Sequence, residues 1–369
     1  MRRRDWILWA LASAGSAAVA GAPLRIAAAW QRGGRHQAGV LRREGDRLVV
    51  ESVLDLPSRP HAVRVESGGT VLVVARRPGD WLVRWTPGGS TPPVWQWIDS
   101  DRAFNGHVLA SLCGTRLFTT ETDQGSGQAV LGVRDARSLE KIAEWPTHGT
   151  DAHDLQHDGE GGLIVANGGV TAQQETGRLK LRLDTMDSSL VRLGATGGEL
   201  RGQWRVADRR LSLRHLAWTH AGGQRVLGVS MQAEHTSPAE RAAAPLLARF
   251  DGRVLAVCEQ PAGTALAGYG GDITATGDGF AIGCPRGGVV ATWSADGRWR
   301  AARPLAGACP LLTADDSGAN AVWAGGQSAA AGDDSLALPA DPPLRLDNHW
   351  AWLPPPGPSR FNLITKELT

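Results

Sequence analysis

The chain has 369 residues, a formal net charge of +2, 47 glycines, 21 prolines, and 15 tryptophans against a single tyrosine. A charged fraction of 21% with 42% hydrophobic residues excludes intrinsic disorder. Near-neutrality excludes a global basic field for nucleic acid, and four cysteines in so long a chain exclude a disulfide scaffold.

Residues 1–20 are predicted to be an address. Arg2, Arg3 and Arg4 precede an apolar stretch from Trp6, and Ala18-Val19-Ala20 offers a small-residue cleavage site. The run Arg3-Arg4-Asp5-Trp6-Ile7 has the spacing of a twin-arginine export signal. The apolar stretch is short and rich in Ala, Ser and Gly, too weak for a spanning helix, so no transmembrane span is expected after cleavage. Cleavage after Ala20 removes three Arg and one Asp and takes the charge from +2 to zero. The expectation is a soluble, monomeric periplasmic protein of a bacterium, exported by the twin-arginine route, with residues 24–369 as one domain.

Three strand-like runs come first: Leu24–Trp30, Gln37–Arg42 and Arg47–Leu56. Then one grammar repeats. A histidine opens an extended run with an apolar residue two positions on. A glycine follows six or seven after the histidine, and a second β-rich run follows that. His61, His107, His153 and His215 open four such units, spaced by 46, 46 and 62 residues. The grammar continues from Gly271 and Cys309, and His349 opens a final strand. Strand, tight turn and strand at this period predict an all-β fold, a seven-bladed β-propeller. The three N-terminal strands and the C-terminal strand together build the last blade, which ties the ends and removes exposed sheet edges. Pro339–Pro343 and Pro354–Pro358 read as boundary loops, a turn is expected near Ser317-Gly318, and Pro238–Ala248 reads as a short helix in an insertion.

In a propeller the first strand of each blade lines the central channel. The openings His61, His107, His153, His215, Gly271, Cys309 and His349 are therefore expected to ring one mouth. Second-strand ends are expected beside them: Arg77, Glu121, Asn167, Gln232, Arg286 and Gln327. Neutral imidazole is the commonest protein ligand for Zn, Cu, Fe and Ni, so five converging histidines predict a transition-metal site. Cys309 would add a soft ligand, and Glu121 or Asp154 a hard one or an outer acceptor. Arg77 and Arg286 with the histidines would instead suit an anion. The competing reading makes each histidine a staple between blades. His148 and His157 read as surface residues, and His36, His220 and His235 carry no signal. Cys258 and Cys284 lie in strands, as a disulfide or as buried thiols, and Cys113 in a turn. The tryptophans read as packing between blades.

Several stretches then resemble a family. They include His61-Ala62-Val63 through Ala75-Arg76-Arg77-Pro78-Gly79, Asn105-Gly106-His107, Ala152-His153-Asp154-Leu155, Arg214-His215-Leu216, Cys284-Pro285-Arg286-Gly287-Gly288 and Asp347-Asn348-His349. Over roughly residues 55–352 the chain resembles exported bacterial propellers known as a domain of unknown function. That family is often encoded beside imelysin-like, iron-regulated proteins and a di-haem peroxidase-like protein. The resemblance implies a seven-bladed propeller, a periplasmic location, a link to iron or another metal, and no established reaction. Asp154 stands where the family commonly has Glu, and Gly325-Gly326-Gln327 where it has Ser-Gly-Gln.

Three functions follow as expectations. The first is metal handling with Fe, Cu or Zn at the histidine mouth. The second is a non-catalytic scaffold for imelysin-like or haem-containing iron-uptake proteins. The third is a metal-dependent hydrolase or lactonase, disfavoured by a channel rich in His and poor in acids.

Overall fold

The computed structural model describes residues 24–170, 183–264, 266–313, 322–332 and 334–354. The signal-like segment, the turn near Ser317-Gly318 and most of the Pro354–Pro358 loop lie outside the described residues.

Those residues are mostly short strands joined by tight turns. β1 (Arg25–Arg32), β2 (Arg35–Glu44) and β3 (Arg47–Leu56) come first. β4 (Pro60–Val65), β5 (Val71–Ala75), β6 (Trp81–Trp85) and β7 (Val94–Trp97) form an antiparallel meander. β8 (Arg102–Ala110), β9 (Arg116–Asp123), β10 (Ala129–Asp135) and β11 (Lys141–Pro146) form the next. β12 (Ala152–His157), β13 (Gly162–Asn167), β14 (Ser189–Gly194) and β15 (Leu200–Trp204) follow, then β16 (Leu211–Ala221), β17 (Gln224–Ala233), β18 (Leu247–Phe250) and β19 (Leu255–Val257). β20 (Asp272–Thr276), β21 (Gly279–Cys284), β22 (Val289–Ser294) and β23 (Trp299–Pro304) make the fifth such sheet. The remaining strands are β24 (Leu311–Thr313), β25 (Val322–Gly325), β26 (Ala329–Ala331), β27 (Ser335–Ala337) and β28 (Arg345–Trp352).

The ends meet as the sequence predicts: β28 pairs antiparallel with β1. One parallel pair, Ala337 with Arg47, joins β27 to β3. The result is an eight-stranded sheet in the order β24-β25-β26-β27-β3-β2-β1-β28. The insertion after β17 holds α1 (Pro238–Ala243), five residues shorter than expected, with the Ser237 side chain accepting from the Glu240 amide as N-cap.

The first strand of each four-stranded sheet and the two outermost strands of the eight-stranded one, β24 and β28, touch in a closed circuit. β4 lies against β8, β8 against β12, β12 against β16, β16 against β20, β20 against β24, β24 against β28, and β28 against β4. Most of the hydrophobic clusters bridge neighbouring sheets, while one runs along the eight-stranded sheet itself. Ile164 and Leu190 of one sheet, for example, pack with Leu227 and Val229 of the next. Tryptophan fills these gaps, as expected. Trp30, Trp81 and Trp293 are fully buried, and their indole N–H groups donate to Gln37 Oε1, Ser58 Oγ and the Glu259 carbonyl. Truncating one of them to Ala would cost about 3–5 kcal/mol.

Register breaks at the histidines. The β4–β5 ladder skips between Pro60 and Val63, β8–β9 between Phe104 and Val108, β12–β13 between Ala152 and Asp154, and β16–β17 between Leu213 and Leu216. On β28 the pairing with β1 jumps from Leu346 to Trp350. All five histidines of the repeat therefore stand in bulges, which turn a side chain out of the regular pleat. β20, which opens after Gly271 and carries no histidine, pairs with β21 without a break.

Candidate metal centre

His61, His107, His215 and His349 converge from four inner strands, all buried, each with a ligand nitrogen within 4.8 Å of the others. Their ring centroids lie 4.6–5.9 Å apart. An ion with bonds of about 2.1 Å holds tetrahedral nitrogens roughly 3.4 Å apart, so the rings would close by about an ångström around one. His153 is buried beside them, its Nε2 3.0 Å from His215 Nε2.

Carboxylates orient two of the four rings. His107 Nδ1 lies 3.2 Å from Asp154 Oδ1, and His349 Nδ1 lies 3.2 Å from Asp272 Oδ1. Each Asp is itself fixed by two backbone amides. Asp154 accepts from Leu155 and Leu216 at 2.8 and 2.9 Å, and Asp272 accepts from Ile273 and Leu311, both at 2.9 Å. Each carboxylate thus joins an imidazole to the next inner strand. With Nδ1–H donated to Asp, the Nε2 lone pairs of His107 and His349 point elsewhere, and both Nε2 atoms are buried without a hydrogen-bond partner. Both ring nitrogens of His61 and Nδ1 of His215 are likewise buried and unpartnered. Carboxylate–histidine pairs of this kind set tautomer and ring orientation at metal centres.

Protonation states match that use at four of the five rings. Burial pushes His61, His153 and His215 well below the usual histidine value, helped by neighbouring imidazoles and by Arg76, Arg77 or Arg214. His107 is also lowered, burial outweighing the pull of Asp154. His349 is the exception. Burial lowers it too, but Asp272, with Asp154 and Asp347, raises it overall. Neutral imidazole is the form that binds metal.

Two positions in the circuit lack an imidazole. At Gly271 a side chain would start 2.7 Å from Cys309 Sγ, so the Cys309 thiol takes that space. Burial, then Asp272 and Asp347, push this thiol well above its ordinary value, and its sulfur is not among the ligand atoms that converge. Gly106 makes the opposite allowance. At φ +109 a side chain here would begin 2.5 Å from His61 Cδ2, so glycine is what lets His61 enter.

The expected supporting residues divide. Asp154 sits where the reading put it. Arg77 pairs with Asp151, and it lines a cavity of about 20 Å³ with His61, Arg76, His153, Gln232, Tyr269 and Asn348. That is room for about one water. Arg286 stacks on Tyr269 at 4.1 Å, at the edge of this cavity. Glu121 corrects the sequence expectation of a ligand at the mouth. It is fully buried between Arg134 at 2.6 Å and Lys141 at 2.9 Å. Successive strand residues face opposite ways, and Thr120 is the one turned to the inner strands, accepting from the His107 amide and donating to the His153 carbonyl. Asn167 donates to the Thr147 carbonyl and Ser189 Oγ, a structural tie. Gln327 is exposed and meets a loop through its backbone amide, which donates to Ala306. His157 bonds the Ala110 carbonyl and His235 pairs with Asp208, away from the cluster. All four cysteines are free thiols.

Three residues with a place in the site carry no role in the sequence reading. Asp272 follows Gly271 as Asp154 follows His153, which was the available signal. Arg214 and Asp151 form a buried pair at 2.7 Å behind His153. Asp151 holds φ +58, a strained setting for a non-glycine residue.

Sheets packed face to face around a closed circuit of inner strands, with buried imidazoles on that circuit, define a β-propeller carrying a histidine cluster. The chain belongs to the family described as "Protein of unknown function (DUF1513)", whose model matches residues 54–353. No curated protein sequence matches it. Solved propeller-like structures do. Hydrazine synthase of Kuenenia stuttgartiensis has a TM-score of 0.57 at 14% identity, over 80% of this chain and 90% of that one. Virginiamycin B lyase from Staphylococcus aureus has 0.53 at 9% identity, over 81% and 91%. The Dos1 propeller has 0.50 at 9% identity, over 86% and 76%. At these identities the likeness is one of fold. Among the described residues no helix is long and apolar enough to cross a membrane.

Proposed function

We propose that the protein is a seven-bladed propeller that binds one transition-metal ion, iron, copper or zinc, through His61, His107, His215 and His349. The blade count rests on dividing the eight-stranded sheet at its lone parallel pair, so that β24–β27 form one blade and β28 with β1–β3 the next. The observation that carries the metal reading is the pair of buried, unpartnered Nε2 atoms on His107 and His349, each aimed by a carboxylate on its Nδ1. A histidine serving as a staple between blades spends its ring nitrogens on hydrogen bonds, because a buried polar atom left unpaired costs about 1–3 kcal/mol. Four neutral nitrogen donors with carboxylates held one shell out suit Fe, Cu and Zn over Mg or Ca.

The setting we propose is the periplasm, reached by twin-arginine export, in iron or other metal handling beside imelysin-like or haem-containing partners. The N-terminal arginine pair and the family motifs support it. The metal reading names no reaction. Equilibrium dialysis of the protein against Fe(II), Cu(II) and Zn(II), with metal counted by mass spectrometry, tests it. One equivalent per chain is expected, lost in His107→Ala/His349→Ala. A wild-type protein that takes up none of the three would refute it.

A further inference from the structure

His153 is not equivalent to the other four histidines, and the reason is its partner. Arg214, fully buried, places Nη1 2.7 Å from Asp151 Oδ2 and 3.3 Å from His153 Nδ1. A guanidinium has only donors. His153 Nδ1 therefore accepts, and in the neutral ring the proton is on Nε2. That N–H lies 3.0 Å from His215 Nε2, which accepts it. The inward nitrogen of His153 thus offers a hydrogen where the other rings offer lone pairs. The half-buried Arg77 pairs with the other Asp151 oxygen, so the tautomer is anchored by a chain of charges, with Asp151 and Arg214 buried.

We propose that His153 is not a ligand but a hydrogen-bond donor to a small anion bound on the metal, such as hydroxide. This rests on the metal reading above. When an ion takes the His215 lone pair, the His153 N–H loses its acceptor and remains within reach of whatever else the ion binds. Four neutral imidazoles leave the ion's charge uncancelled, and Asp154 and Asp272 are already engaged by ring and backbone N–H groups. The small cavity against His61 and His153 is lined by Arg76 and Arg77, which pair with Asp347 and Asp151.

The test uses Cu(II)-loaded full-length protein titrated with azide and, as a smaller probe, fluoride, read by absorption and electron paramagnetic resonance. His153→Leu removes the donor at similar volume, and His153→Gln restores an N–H. The proposal expects His153→Leu to keep one copper per chain yet bind the probe anions about tenfold or more weakly, as the loss of one hydrogen bond to a charged group implies. His153→Gln should recover part of that. If His153→Leu loses copper as His107→Ala does, His153 is a ligand and the proposal falls. If wild type holds copper and neither anion perturbs it, or all variants bind anions alike, the proposal also falls while the metal reading stands. Wild type that takes up none of copper, iron and zinc would fail the metal reading itself; where only iron or zinc is held, the same titration is read calorimetrically on that metal.

Discussion

Asp272→Ala frees the orientation of one ring without touching a ligand. The carboxylate accepts from the His349 Nδ1–H and the Ile273 amide on Oδ1 and from the Leu311 amide on Oδ2. An Asn could keep its one oxygen toward His349 and Ile273 and give up only the Leu311 bond, whereas Ala offers no acceptor at all. The ring then loses the acceptor that fixed its tautomer. Removing such an outer partner typically costs 10–100-fold in metal affinity, about 1.4–2.8 kcal/mol. Each orphaned buried donor costs the metal-free fold about 1–3 kcal/mol besides. Competition against a chromophoric chelator measures the first quantity and thermal denaturation without metal the second. Both should fall. Metal affinity within twofold of wild type, with only the stability lost, would show that Asp272 ties sheets together and does not aim His349 at an ion.

Other outcomes follow from the same geometry. Gly106→Ala should weaken metal binding and destabilise the fold by more than Gly114→Ala, which has φ +70 but nothing within 4 Å of the new carbon; equal effects would show that His61 does not need the gap. Without metal, stability should fall between pH 7.5 and 5.5. His61, His153 and His215 titrate well below 6.5 when folded, so below that pH the unfolded chain takes up protons the folded one refuses. The loss is about 1.4 kcal/mol over that window for each of them, opposed by His349, whose raised value favours the folded state on acidification. A melting temperature that is flat or rises toward pH 5.5 would contradict this assignment. Alkylation of the native protein should label Cys113 first, because hydrogen bonds from Ser111 and Thr115 bring its exposed thiol to about 7, while burial lifts Cys258 to about 11 and Cys284 to about 12. Peptide mapping showing Cys258 or Cys284 modified as fast would refute it.

The circuit of inner strands was legible because each unit opens with the same grammar, and His61, His107, His153, His215 and His349 stand at its openings. Asp154 was legible because it adjoins His153 in the chain. Asp272 occupies the same slot, yet it follows a glycine, and nothing in the sequence ties it to His349, 77 positions later. Glu121 was misplaced by one residue. Strand alternation turns it into the gap between sheets and turns Thr120 toward the inner strands. The bulges that aim the imidazoles depend on register between two strands, which single-strand patterns do not carry; Gly106 was their one local trace. The donor role of His153 arises from Arg214, whose contact across the blade is set only once the strands have paired.

Whether the four buried imidazoles hold one ion is measured directly by anomalous scattering from crystals of the metal-loaded protein. A single peak bonded to nitrogens of His61, His107, His215 and His349 at about 2.0–2.2 Å is expected, with His153 alongside but unbonded. No peak among these rings, or a peak held by other residues, would contradict the four-histidine site.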